Sequence, residues 1–115
     1  MYLPKVIKFN SKEKAAARRY AEIAEFLGLK GNSDEALTDA LISHIKKMNK
    51  ALDIPDSIKD YEGGIIDEKE FNDKLSEVAK LAVGDACTGS NPRSITPAEM
   101  EKLLKCCFYD TEVDF

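Results

Sequence analysis

Residues 33 to 52 read SDEALTDALISHIKKMNKAL. Large apolar side chains recur in this stretch at Leu37, Leu41, Ile45, Met48 and Leu52. Steps of three and four keep side chains on one face of an α-helix, whereas a strand would alternate at every second residue. Ser33 stands where a helix needs an oxygen for its unpaired N–H groups, and Asp34 and Glu35 suit the positive end of the helix dipole. The helix is predicted to stop at Asp53-Ile54-Pro55, because Pro55 disfavours helical geometry at Ile54.

The same periodicity runs outward in both directions. Upstream, Asn10 and Ser11 offer a cap for a helix over about Lys12 to Leu27, with an apolar face of Ala16, Tyr20, Ile23, Ala24 and Leu27. Gly28 ends it and Gly31-Asn32 completes the turn. Ahead of it, Tyr2 to Phe9 is a short apolar segment without a cap and with Pro4 near its start, where a helix tolerates proline. It reads as the remnant, residues 1–10, of a longer helix. Its Leu3, Val6, Ile7 and Phe9, joined by the loop around Cys87, are expected to form an exposed apolar patch that drives self-association.

Downstream, Asp56 to Gly64 holds one helical turn at most, with Gly63-Gly64 as a loop. Asp67-x-x-Glu70 is a capping-box-like start for a fourth helix whose inner face is Phe71, Leu75, Val78, Ala79 and Ala82. Thr88 to Arg93 is a loop. Thr96-Pro97-Ala98-Glu99 starts a fifth helix, with Thr96 as cap, Pro97 at the first helical position and Glu99 three residues after the cap. Met100, Leu103, Leu104 and Cys107 are expected to face inward, and 110–115 is a tail. No strand pattern or internal repeat is found. The fold class is all-α, about five helices in one domain over residues 1–115.

Composition narrows the function. The 115 residues carry a formal net charge of −4 with both signs interleaved. Without a basic stripe, nucleic acid is not an expected partner. No apolar run reaches the roughly 20 residues that span a bilayer, so no membrane partner is expected either. The first ten residues do not read as a signal peptide. Cys87, Cys106 and Cys107 are odd in number and two are adjacent, which suits neither a disulfide framework nor a metal site. The chain reads as cytoplasmic and reduced.

Candidate chemistry is sparse. His44 is the lone imidazole, beside the apolar stripe, with no second ligand at helical spacing; a partly buried helix histidine accounts for it. Asp67, Glu68 and Glu70 are explained by capping. Cys87 lies near a helix C-terminus, where the dipole does not activate a nucleophile. No catalytic, cofactor-binding or metal-ligating residue is assigned. The segment that helical logic leaves unexplained is DACTGSNPR, residues 85–93. So dense a run of small polar residues suits a tight loop whose backbone closely approaches a ligand or another surface, anchored by the fixed donors of Arg93.

That segment, followed by the Thr96-Pro97 helix start, resembles the C-terminal signature of iron-containing (group III) alcohol dehydrogenases. The opening Leu3-Pro4-Lys5-Val6-Ile7-Lys8-Phe9-Asn10 is similar to the stretch after that family's last metal-binding histidine. Arg19-Tyr20-Ala21-Glu22-Ile23-Ala24 and Leu52-Asp53-Ile54-Pro55 resemble family segments in the same order. The resemblance implies the helical C-terminal domain of the fold shared with dehydroquinate synthase. It also implies an intact enzyme that uses Fe²⁺ and NAD(P) to interconvert alcohols and aldehydes. The metal ligands and the glycine-rich nucleotide turn of such enzymes lie upstream of the matching region. By resemblance, Cys87, Thr88 and Gly89 line the substrate pocket and Asn91, Pro92 and Arg93 shape its loop. The implied partner is an N-terminal nucleotide-binding domain, with a homo-oligomer as a further option. The chain alone is expected to be inactive. The alternative is a stand-alone helical interaction module.

Overall fold

The computed structural model describes residues 1–61 and 67–115. The expected Gly63-Gly64 loop lies outside the described residues. Among those described, five α-helices and no strands are found: α1 (Tyr2–Asn10), α2 (Lys14–Phe26), α3 (Asp34–Ala51), α4 (Glu68–Gly84) and α5 (Pro97–Tyr109). One 3₁₀ turn, Thr88–Ser90, precedes α5. The all-α expectation holds.

The helix starts follow their caps. Ser33 Oγ accepts from Ala36 N at 3.1 Å, and Asp67 Oδ1 accepts from Glu70 N at 2.7 Å. Thr96 and Glu99 form a complete capping box: Glu99 N donates to Thr96 Oγ1, and Thr96 N donates to Glu99 Oε2. The bonds that Thr96 N and Thr96 Oγ1 donate to the Glu99 carboxylate favour its ionised form and hold the carboxyl below its usual range. Gly28 stops α2 with φ at +74°, the left-handed conformation that glycine adopts without strain. α2 departs from expectation at its start. It begins at Lys14 with Glu13 as cap residue, and no side chain caps it, so neither Asn10 nor Ser11 serves there.

The helices pair as α2 with α3 and α4 with α5, and α1 lies between the pairs, touching α2 and α3 on one side and α5 on the other. This overturns the expectation of an exposed α1 patch. Ile7 is buried among Ala21, Ala24, Leu37 and Leu41, and Phe9 among Leu103, Cys106 and Val113. Two residues apart on a helix point in nearly opposite directions, so one short helix feeds both cores. Leu3 is exposed and Val6 half-buried.

Other faces are also corrected. Of the expected α2 face, Ala16 and Ala24 are buried as expected, whereas Ile23 and the following Leu27 are about half exposed and Ala21, outside that face, is fully buried. Small residues let α2 approach α3 closely and the larger ones are pushed outward. Met48, Leu52 and Val78 are exposed, whereas Thr38 is buried and donates to Asp34 O at 2.8 Å. Cys106 and Phe108 join Leu103 and Cys107 inside, with Phe108 stacked on Phe71 at 4.1 Å between ring centroids.

Residues 110–115 are not helical, yet they fold back over the core. Val113 is buried and Phe115 lies against Phe9. Lys5 fastens this return: its buried ammonium pairs with Asp110 at 2.7 Å and donates to Thr111 O at 2.8 Å.

Candidate functional site

α1, the 87–92 loop and α5 line an open pocket of about 460 Å³. Tyr2, Val6 and Phe9 form its α1 wall, one stripe at steps of four and three. Met100, Leu103, Leu104 and Cys107 form the α5 wall on the same principle, with Ile95 ahead of them. The loop supplies Cys87, Thr88, Ser90, Asn91 and Pro92.

The loop is held by its own short polar side chains. Asp85 Oδ1 accepts from Cys87 N at 2.7 Å as α4 ends. Thr88 Oγ1 donates to Ala82 O at 2.6 Å, adding a short bond to a carbonyl in the last turn of α4 that Asp85 N reaches only at 3.4 Å. Ser90 Oγ donates to Cys87 O at 2.8 Å, and Asn91 N donates to Thr88 O at 3.1 Å. The dense run of small polar residues thus supplies the hydrogen bonds that a single 3₁₀ turn between two helices lacks.

Of the residues singled out in the sequence, Cys87, Thr88, Asn91 and Pro92 meet at the cavity, Cys87 being exposed. Gly89 and Arg93 do not line it. A Cβ at Gly89 would meet no atom within 4 Å, so nothing in this chain demands glycine there. Arg93 stands behind the wall. Its Nη1 donates to Phe9 O at 2.8 Å and Phe115 O at 3.0 Å, and its guanidinium lies 3.9 Å from the centre of the Phe9 ring.

Asn10 was missed. It is 2% exposed, and its amide pairs with that of Asn91. The signal that hid it is positional: Asn10 precedes a helix and reads as a cap, whereas its partner lies 81 residues away.

The cavity is chemically quiet. Burial pushes the Cys107 thiol up to about 11, so it is neutral at pH 7, and burial also raises Tyr2. The Thr88 and Ser90 hydroxyls donate to backbone carbonyls. Such a space suits a small, mostly apolar molecule. Among the described residues no group of three or more His, Cys, Asp or Glu is placed to hold a metal ion. His44 is half-buried on α3, which contributes nothing to the cavity. These residues do not fit an iron site. Among the described residues, no helix is long and apolar enough to cross a membrane.

Residues 1–108 match the model of the Fe-containing alcohol dehydrogenase family, C-terminal. The chain is 49% identical over all 115 residues to an NADPH-dependent butanol dehydrogenase of Clostridium saccharobutylicum, covering 28% of that protein. It is 36% identical over 121 aligned positions to an aldehyde-alcohol dehydrogenase of Clostridium acetobutylicum, covering 94% of this chain and 14% of that one. An alcohol dehydrogenase of Thermococcus barophilus is 33% identical over 110 positions, 96% of this chain and 26% of that one. The chain therefore spans about a quarter or less of the length of these relatives.

Proposed function

The chain belongs to the iron-containing alcohol dehydrogenase family, whose C-terminal domain it matches, and we propose from that premise that it forms one wall of the substrate cleft in an NAD(P)-linked alcohol/aldehyde oxidoreductase. Cys87 and Thr88 line the pocket; Asn91, Pro92 and Arg93 hold the loop in shape. The observation that carries this reading is the apolar cavity bounded by α1, α5 and the loop. A cavity with apolar walls takes the alkyl part of a small alcohol or aldehyde and keeps water from it. Its residues would orient the substrate; none of them is assigned a proton or hydride step.

Fe²⁺ and NAD(P) are expected for the intact enzyme, and the chain alone is proposed to be inactive. The proposed partner is a nucleotide-binding domain, with cytoplasmic location and a homo-oligomer as further expectations. A helical module that acts alone is the second reading, favoured by the burial of Ile7 and Phe9 within one chain.

The test is a chimera in which this chain replaces the matching 115 residues of the C. saccharobutylicum butanol dehydrogenase. It should oxidise butanol with NADP⁺. Cys87→Trp, which fills the pocket, should lower kcat/KM for butanol about tenfold or more relative to ethanol. An active chimera whose preference is untouched by Cys87→Trp refutes the cleft reading and leaves the stand-alone module.

A further inference from the structure

We propose that Asn10 is a positioning residue that fixes the spacing of two cavity walls, and thereby the size of alcohol accepted; this rests on the cleft reading above. Asn10 ends α1, the helix that supplies Tyr2, Val6 and Phe9 to one wall. Asn91 sits in the opposing loop wall. Asn10 Nδ2 donates to Asn91 Oδ1 at 2.9 Å, and Asn91 Nδ2 returns a bond to Asn10 Oδ1 at 2.8 Å. The Asn10 amide also donates to Tyr20 Oη at 3.2 Å, which ties the pair to α2.

A primary amide offers a donor and an acceptor side by side at any pH, so two amides can pair reciprocally where an ionised carboxylate, which only accepts, cannot. An aspartate at either position would set oxygen against oxygen and lose a bond, in a pair of which Asn10 is buried. A glutamine would be one methylene too long for the gap. The amide of Asn10 has no competing local duty, because α2 begins four residues later and is capped by no side chain.

The loop side is equally constrained. Asn91 Nδ2 donates to Arg93 O at 2.6 Å, and Asn91 N donates to Thr88 O, so the amide is fixed within its own turn. Arg93 in turn grips Phe9 O, one residue before Asn10. Two successive residues of α1 therefore hold two residues of the loop. Without the Asn10–Asn91 pair, the Arg93 bond to Phe9 O alone ties the end of α1 to the loop, and the Asn91 limb of the turn can shift relative to the α1 wall.

Two measurements test this. In the chain itself, Asn10→Asp and the milder Asn91→Ala should speed hydrogen exchange at the Thr88, Ser90 and Asn91 amides about tenfold or more, with the α2 amides unchanged. In the chimera, the same variants should lower the butanol-to-ethanol ratio of kcat/KM about fivefold. A purely structural role would reduce the active fraction for both alcohols alike and leave that ratio alone. Asn91→Ala, on the half-buried side, serves if Asn10→Asp does not fold. Unchanged loop exchange in a folded variant overturns the clamp. Faster exchange with an unchanged ratio overturns the positioning role. In that event, a ratio that still responds to Cys87→Trp leaves the cleft reading standing, and one that does not removes both.

Discussion

Replacing Arg93 by alanine should destabilise the chain more than any other single change in the loop. Two carbonyls lose a charged donor: Phe9 O at 2.8 Å and Phe115 O at 3.0 Å. Hydrogen bonds to a charged group contribute about 1.5–3 kcal/mol each, and partial exposure argues for the lower end, so the pair contributes about 3 kcal/mol. Stacking on the Phe9 ring at 3.9 Å adds about 1 kcal/mol. The Glu99 carboxylate is 3.8 Å away and partly solvated, and adds almost nothing. The expected loss is about 4 kcal/mol, a large share of the roughly 5–15 kcal/mol that holds a domain together. Arg93→Lys keeps the charge but loses the fixed planar Nη1 that reaches both carbonyls and loses the stacking, and should recover less than half. Urea unfolding followed by helical circular dichroism reads both. With a slope of about 1.5 kcal/mol/M, the midpoint for Arg93→Ala should fall by about 2–3 M. A shift below about 0.5 M, or full recovery in Arg93→Lys, refutes the view that the Arg93 guanidinium ties the loop and the C-terminal return to α1.

Two further outcomes follow from burial and packing. The Cys107 thiol ionises at about 11 in the folded chain against 9.0 for the free group, so between those values the unfolded chain holds fewer protons and stability falls as pH rises. The loss amounts to about 2 kcal/mol by pH 11; Cys107→Ala should remove that part of the alkaline slope, and an identical slope in parent and variant contradicts it. At Gly31 an added Cβ would lie 2.8 Å from Leu37 N and 3.0 Å from Leu37 Cγ. Gly31→Ala should therefore lower stability by about 1–3 kcal/mol in thermal unfolding, while Gly89→Ala, with open space at its Cβ, stays within about 0.5 kcal/mol of the parent; equal melting of the two variants refutes the clash.

The helix boundaries were legible where a side chain caps its own helix. Ser33, Asp67 and Thr96 each accept from the N–H three residues on, a relation contained in four consecutive residues. Inward faces were less legible. Ile23 and Leu27 carry the hydrophobic signal, yet the seam with α3 is made by Ala21 and Ala24, because the distance between helices is set by the partner surface and not by the pattern of one helix. The role of α1 was illegible for a related reason. Its anchors lie far along the chain: Asn91 and Arg93 on the loop, Asp110 and Thr111 after α5. A segment of nine residues without a cap gives no hint that it serves two cores. The loop itself could be recognised from DACTGSNPR, since short hydroxyl and amide side chains compete for backbone groups wherever they cluster. The cavity could not, because two of its three walls are helix stripes that local periodicity assigns to a core.

The central claim is that the loop around Cys87 lines the place where an alcohol binds. Cys106 and Cys107 are buried and Cys87 is exposed, so iodoacetamide labelling read at the Cys87 peptide by mass spectrometry reports on that wall alone. The measurement is the labelling rate of Cys87 in the butanol dehydrogenase chimera, with and without saturating butanol and NADP⁺. A bound alcohol in the cavity should slow it about tenfold, with NADP⁺ alone having a smaller effect. A Cys87 labelling rate unchanged by saturating alcohol and coenzyme in an active chimera would contradict the account.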